Sequence, residues 1–182
     1  MNTFYLLRHA KVCVERNKPP REWTLSREGV KEVSELAENR TFEHVDLIYS
    51  SEEEKAFHTA QIIADSIGKS ALKLPNFNEL NRNKFIGNYE SAVREAFSNI
   101  NKSLSSWESC LSALQRFREG IELMNVGYRN KKILTVSHGI VLTLYFAHLK
   151  GEMNNLFSRW KRLSFLGWGV VKDSIVFKDI VC

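Results

Sequence analysis

The chain of 182 residues is poor in cysteine and proline, with three of each. Cys13, Cys110 and Cys182 are too widely spaced to form a disulfide framework or a metal site, so reduced thiols are expected. No proline-, glycine- or serine-rich linker and no internal repeat divides the chain; Pro19-Pro20 merely marks a loop. No apolar stretch reaches transmembrane length. No N-terminal signal segment is visible and none is expected, since an apolar strand starts at Thr3 and is followed at once by Arg8. These absences predict a cytoplasmic protein without membrane attachment. Strong charge bias is missing too: 26 Lys and Arg face 21 Asp and Glu, a net charge of +5 with no long basic run. That modest excess favours an anionic ligand over nucleic acid, which is not expected as a partner.

What is present is a hydrophobic fraction of 43%, enough for one domain over residues 1–182 with a sizeable core. Short apolar runs predict strands at Thr3 to Leu7, Asp46 to Tyr49, Ala71 to Leu74 and Lys132 to Val136. Two further strands are expected in the tail, at Leu163 to Trp168 and Ser174 to Ile180. Helical spacing marks Val30, Val33, Leu36 and Ala37 after a capping Ser26, then Ala56 to Ile67 before Gly68. Helices are also expected near 88–99 and 106–125, the latter starting after Ser105-Ser106, and from Ile140 to Ala147. Glu52, Glu53 and Glu54 suit the first turn of the second helix, where carboxylates offset exposed amides. This order argues for a three-layer α/β/α sandwich. Trp160, Phe165 and Trp168 either close the core or form an interface.

Two strand ends carry chemistry. The first delivers Arg8-His9-Ala10 and the fourth delivers Ser137-His138-Gly139, at the position where open α/β sheets bind ligands. A neutral histidine is a nucleophile able to accept a phosphoryl group, and an arginine fork suits phosphate oxygens. Adjacent residues on a strand point to opposite faces, so Arg8 and His9 converge only if the strand has already ended. A helix starting at Gly139 would turn backbone amides toward an anion.

These pieces resemble the histidine phosphatase superfamily, with its phosphoglycerate-mutase-like fold. Leu7-Arg8-His9-Ala10 is similar to the first family signature. Ser50 to Ala60 is similar to the second, in which serines precede an arginine-alanine and a threonine-alanine pair. Phe77-Asn78-Glu79-Leu80 corresponds to the segment carrying the family acid, Val136 to Gly139 to the second histidine motif, and Leu25 to Gly29 to the start of the first helix. The resemblance implies a mixed, mostly parallel sheet and a metal-independent phosphomonoesterase without cofactors. His9 would form the phosphohistidine, Arg8 would grip the phosphoryl group, and His138 would donate to it. Glu79 would protonate the leaving oxygen and then help activate water. The implied partners are a small phosphorylated substrate and inorganic phosphate as product; oligomeric state is left open. Lys55 stands where the family has arginine, keeping the charge but losing the fork. Arg82 is a candidate to compensate. Arg16, Lys18, Arg21, His58, Arg82 and Lys84 are candidates for substrate selection. A phosphoglycerate-mutase-like phosphotransferase, a protein phosphohistidine phosphatase and a weakly catalytic phosphate-binding regulatory protein remain as alternatives.

Overall fold

The computed structural model describes residues 1–82, 85–104 and 107–181. Among these, strands β1 (Thr3–Arg8), β2 (Leu47–Ser50), β3 (Ala71–Lys73), β4 (Lys132–Ser137), β5 (Trp168–Lys172) and β6 (Ile175–Lys178) form one sheet in the order β3-β2-β4-β1-β5-β6. The first four strands in that order run parallel, β5 pairs antiparallel to β1, and β6 pairs antiparallel to β5. The sheet is therefore mixed and mostly parallel.

Side-chain alternation assigns the layers. Leu7, Ile48, Leu134 and Val136 face one side, where they pack with α1 (Arg27–Glu38) and α2 (Glu54–Ser66). Phe4, Leu6, Tyr49 and Ile133 face the other, packing with α3 (Tyr89–Ser98), α4 (Cys110–Gly127), α5 (Gly139–Lys150) and α6 (Leu156–Arg162). Burial of α5 from Gly139 through Ala147 accounts for its unbroken apolar run, since a helix enclosed on all sides needs no polar face. No helix among the described residues is long and apolar enough to cross a membrane.

Local signals act where expected at α1. Ser26 caps the helix by accepting the Gly29 amide at 3.0 Å. Gly29 is required by close approach, because a Cβ there would lie 2.2 Å from the Lys11 carbonyl oxygen. Elsewhere the structure departs from the sequence reading. Helix α4 starts at Cys110, capped by Ser109, rather than near 106; Ser105 and Ser106 lie outside the described residues. The tail has a helix, α6, that apolar periodicity does not reveal in so short and basic a segment. Residues 163–167 are consequently a loop, not a strand, with Leu166 at φ 55°. Strand pairing begins only at Trp168 and ends at a tight Asp173-Ser174 turn, both residues having positive φ as a two-residue hairpin requires.

Candidate active site

The parallel register brings three strand ends level. Arg8 pairs with Ser137 and Leu7 with Val136, and Val136 also pairs with Ser50. His9, Ser51 and His138 each follow one of these ends and so meet above β1, β2 and β4. β1 stops at Arg8, which releases His9 from strand alternation; the two side chains then converge on Phe165. The Arg8 guanidinium carbon lies 4.2 Å from the Phe165 ring centroid, and the His9 ring centroid lies 5.7 Å from it.

His9 is oriented by its main chain. Its Nδ1 lies 2.7 Å from the Ala10 carbonyl oxygen, the partner type expected for a nucleophilic imidazole. Nδ1–H donates there, which leaves Nε2 as the basic nitrogen. The Ala10 amide in turn donates to Thr59 Oγ1 at 3.1 Å, and that hydroxyl donates to the Lys55 carbonyl at 2.7 Å. Thr59 of α2 thus anchors Ala10, whose carbonyl orients His9. The His9 and His138 rings are 5.1 Å apart. Burial holds both imidazoles well below their ordinary pKa, assisted by Lys55 and Arg8 at each and by Arg82 at His138. Both are neutral at neutral pH.

Arg8 donates from Nη1 to the Leu163 carbonyl at 2.5 Å, while its buried Nε meets no hydrogen-bond partner among the described residues. His138 Nδ1 is likewise buried and unpartnered. A Cβ on Gly139 would lie 3.3 Å from both Nε and Cζ of Arg8, so glycine at the start of α5 lets the guanidinium rest close against it.

Glu79 is buried at the N-terminus of α5. Its Oε2 accepts the Ile140 amide at 3.0 Å, and its Oε1 accepts the amides of Val141 at 3.1 Å and Leu80 at 2.9 Å. Burial raises its pKa against the opposing pull of Arg82 and these amides. Lys55 is buried, donating to the Pro20 carbonyl at 2.8 Å and pairing with Glu53. Burial lowers the lysine pKa; it would raise that of Glu53, yet Lys55 holds the carboxyl below its ordinary value. Glu53 is thus more than a helix-start acid: its Oε1 accepts the Glu79 amide at 2.8 Å and lies 3.7 Å from His138 Nε2. Sequence reasoning missed this role, because three consecutive glutamates give no sign of which one turns inward.

Arg82 is half-buried, its Cζ 4.2 Å from the Tyr89 ring centroid, and its charge reaches Lys55, Glu79 and His138. With Arg21, Glu53, Glu79 and Trp107 it walls a cavity of about 850 Å³ that reaches Glu53, 3.7 Å from His138, but is lined by neither histidine. The other sequence candidates lie farther out. Arg16 is exposed near the Phe85 ring, Lys18 is paired with Glu15 at 2.7 Å, and His58 is half-buried on α2. Lys84 lies outside the described residues. Phe165 belongs to the site although its segment reads as a strand; only the loop after α6 brings it over Arg8. Among the described residues, no group of three or more His, Cys, Asp or Glu is placed to hold a metal ion.

A family model described as histidine phosphatase superfamily, branch 1, matches residues 4–166. No curated protein matches the sequence. Solved structures do match the fold. YhfR of Bacillus stearothermophilus superposes with a TM-score of 0.77 at 18% identity, covering 98% of this chain and 95% of that one. A mycobacterial glucosyl-3-phosphoglycerate phosphatase gives 0.77 at 17% identity, covering 94% and 90%. A phosphoserine phosphatase variant from Entamoeba histolytica, in complex with phosphoserine, gives 0.73 at 18% identity, covering 98% and 96%.

Proposed function

Since the chain belongs to branch 1 of the histidine phosphatase superfamily, we propose that it is a metal-independent phosphomonoesterase that acts on a small phosphorylated metabolite through a phosphohistidine at His9. One observation carries the reading: two buried nitrogens without a hydrogen-bond partner among the described residues, Arg8 Nε and His138 Nδ1, accompany a neutral histidine whose Nδ1 is tied to a carbonyl. Buried donors left unpaired are costly unless a ligand meets them, and a phosphoryl group supplies the acceptors.

In the first step His9 Nε2 attacks phosphorus, forming the P–N bond as the bond to the leaving oxygen breaks. Arg8 neutralises the non-bridging oxygens and His138 donates to one of them. Glu79, with its raised pKa, gives its proton to the leaving oxygen. Water then attacks phosphorus as the P–N bond to His9 Nε2 breaks, Glu79 takes the water proton, and inorganic phosphate departs, leaving His9 free. Lys55 spends donors on Pro20 and Glu53, so Arg82 is assigned as the second cation facing phosphate. The leaving group occupies the cavity of about 850 Å³, a volume suited to a metabolite. The mycobacterial glucosyl-3-phosphoglycerate phosphatase and the Entamoeba phosphoserine phosphatase are named for phosphorylated metabolites of that class.

The test is phosphate release from an aryl phosphate in chelator-treated buffer, wild type beside His9→Ala. Release by the wild type and its loss in the variant is expected; equal release by both would remove His9 as nucleophile. A second reading, a phosphate-binding protein with slow turnover, is favoured by one feature: both Glu79 oxygens are engaged by main-chain amides. Tight vanadate binding without release would select it.

A further inference from the structure

The second histidine can donate to a phosphoryl oxygen only if its proton sits on the nitrogen that faces substrate. His138 is neutral, so it carries one ring proton, shared between two inequivalent positions. Nε2 lies 2.6 Å from Ser51 Oγ, and both residues are fully buried. Nδ1 has no hydrogen-bond partner among the described residues. We propose that Ser51 is a positioning residue that sets the tautomer of His138: its hydroxyl donates to Nε2, so Nδ1 keeps the proton and offers it to the phosphoryl group.

The direction of the 2.6 Å bond follows from what else reaches the serine. The Glu53 amide donates to Ser51 Oγ at 3.1 Å. An oxygen that accepts there still has its own proton to place, and Nε2 is the acceptor at hand. The result is a chain in one direction, from the Glu53 N–H to the Ser51 O–H to His138 Nε2, in which each bond polarises the next. The opposite tautomer would aim Nε2–H at an oxygen that already accepts an amide. It would strand the serine proton and leave the Nδ1 lone pair bare, two unsatisfied buried groups in place of one. A bare Nδ1 lone pair would also repel phosphoryl oxygens. Glu53 Oε1, 3.7 Å from Nε2, is beyond hydrogen-bond distance and does not compete for this role. The backbone supports the geometry: the Ser51 amide donates to the Val136 carbonyl at 3.1 Å, which pins the serine beside the end of β4, two residues before His138.

The inference rests on the phosphatase reading for its purpose, but its test does not need turnover. Ring nitrogen NMR of the 15N-labelled wild type at neutral pH is expected to show His138 protonated at Nδ1 and bare at Nε2. Inorganic phosphate is expected to shift the Nδ1 proton downfield. A wild-type ring protonated at Nε2, or an Nδ1 proton indifferent to bound phosphate, would overturn the proposal. In Ser51→Ala the ring is expected to lose its single tautomer, with kcat down about 100-fold and KM changed much less, as for loss of one transition-state donor. Ser51→Thr, which restores a hydroxyl, is expected to recover the tautomer and part of the rate. An unchanged Nδ1–H ring in Ser51→Ala would refute the assignment. If that variant does not fold, Ser51→Cys, with a weak thiol donor, serves the same comparison. A Ser51-dependent tautomer in a protein that releases no phosphate would support the positioning role and overturn the phosphatase reading alone.

Discussion

Lys55 and Glu53 form the most enclosed ion pair of the site, with side chains 4% and 11% exposed. At such depth the cost of removing one partner exceeds the value of the pair, because the other charge stays buried and uncompensated. Lys55→Met is therefore expected to lower stability by about 3 kcal/mol in urea titration. Adding Glu53→Gln should recover a large part of that loss. If the double variant is as unstable as the sum of the two single ones, the pair is not coupled and this account fails. Gly139 poses a different constraint. A methyl group at 3.3 Å from the Arg8 guanidinium forces it to give by a few tenths of an ångström. Gly139→Ala should weaken inhibition by inorganic phosphate about tenfold, a displacement effect smaller than that of a full ångström. Unchanged inhibition would mean that Arg8 does not hold phosphate from its present position.

The elements that carry these residues are held by local contacts. Helix α1 depends on its Ser26 cap, and the Ser26 hydroxyl also ties the loop after His9 by donating to the Lys11 carbonyl at 3.3 Å. Ser26→Ala should cost about 1 kcal/mol of stability, read as a lower urea midpoint with unchanged slope. A loss of turnover larger than the loss of folded protein would show that the cap also positions the loop. Helix α5 has a tertiary N-terminal cap: the amides of Ile140 and Val141 are satisfied by Glu79, some 60 residues earlier in the chain. A cap of this kind leaves no signature in the sequence around Gly139, so the sequence shows the helix and its start but not the carboxylate that caps it. Helix α6 escapes notice for another reason. It is short, and three of its seven residues are basic, so its buried side resembles an irregular tail.

At the scale of the whole molecule, stability should depend on pH through the buried site. The folded pKa values of His9 and His138 lie well below 6.5, while the unfolded chain protonates both near that value. Below 6.5 the unfolded state binds more protons, so stability is full above that pH and falls as the solution is acidified. Glu79 acts in the opposite sense. Its folded pKa is raised above 4.5, so its contribution is present at low pH and lost as pH rises through the folded value. The urea midpoint should fall on acidification below 6.5, less steeply in His9→Gln and more steeply in Glu79→Gln. A midpoint that rises there would contradict the neutral, buried histidines. The sequence by itself determined the layer order, the strand ends that carry Arg8, His9 and His138, and the Ser26 cap. These follow from apolar periodicity and short-range hydrogen bonding, which act within a few residues. Tertiary structure alone decided that Glu53 turns onto Lys55, that Ser51 meets His138, that Glu79 caps α5 and that Phe165 covers Arg8. Each of those contacts joins separate segments whose approach is set by strand register and helix packing, and no spacing within one segment encodes it.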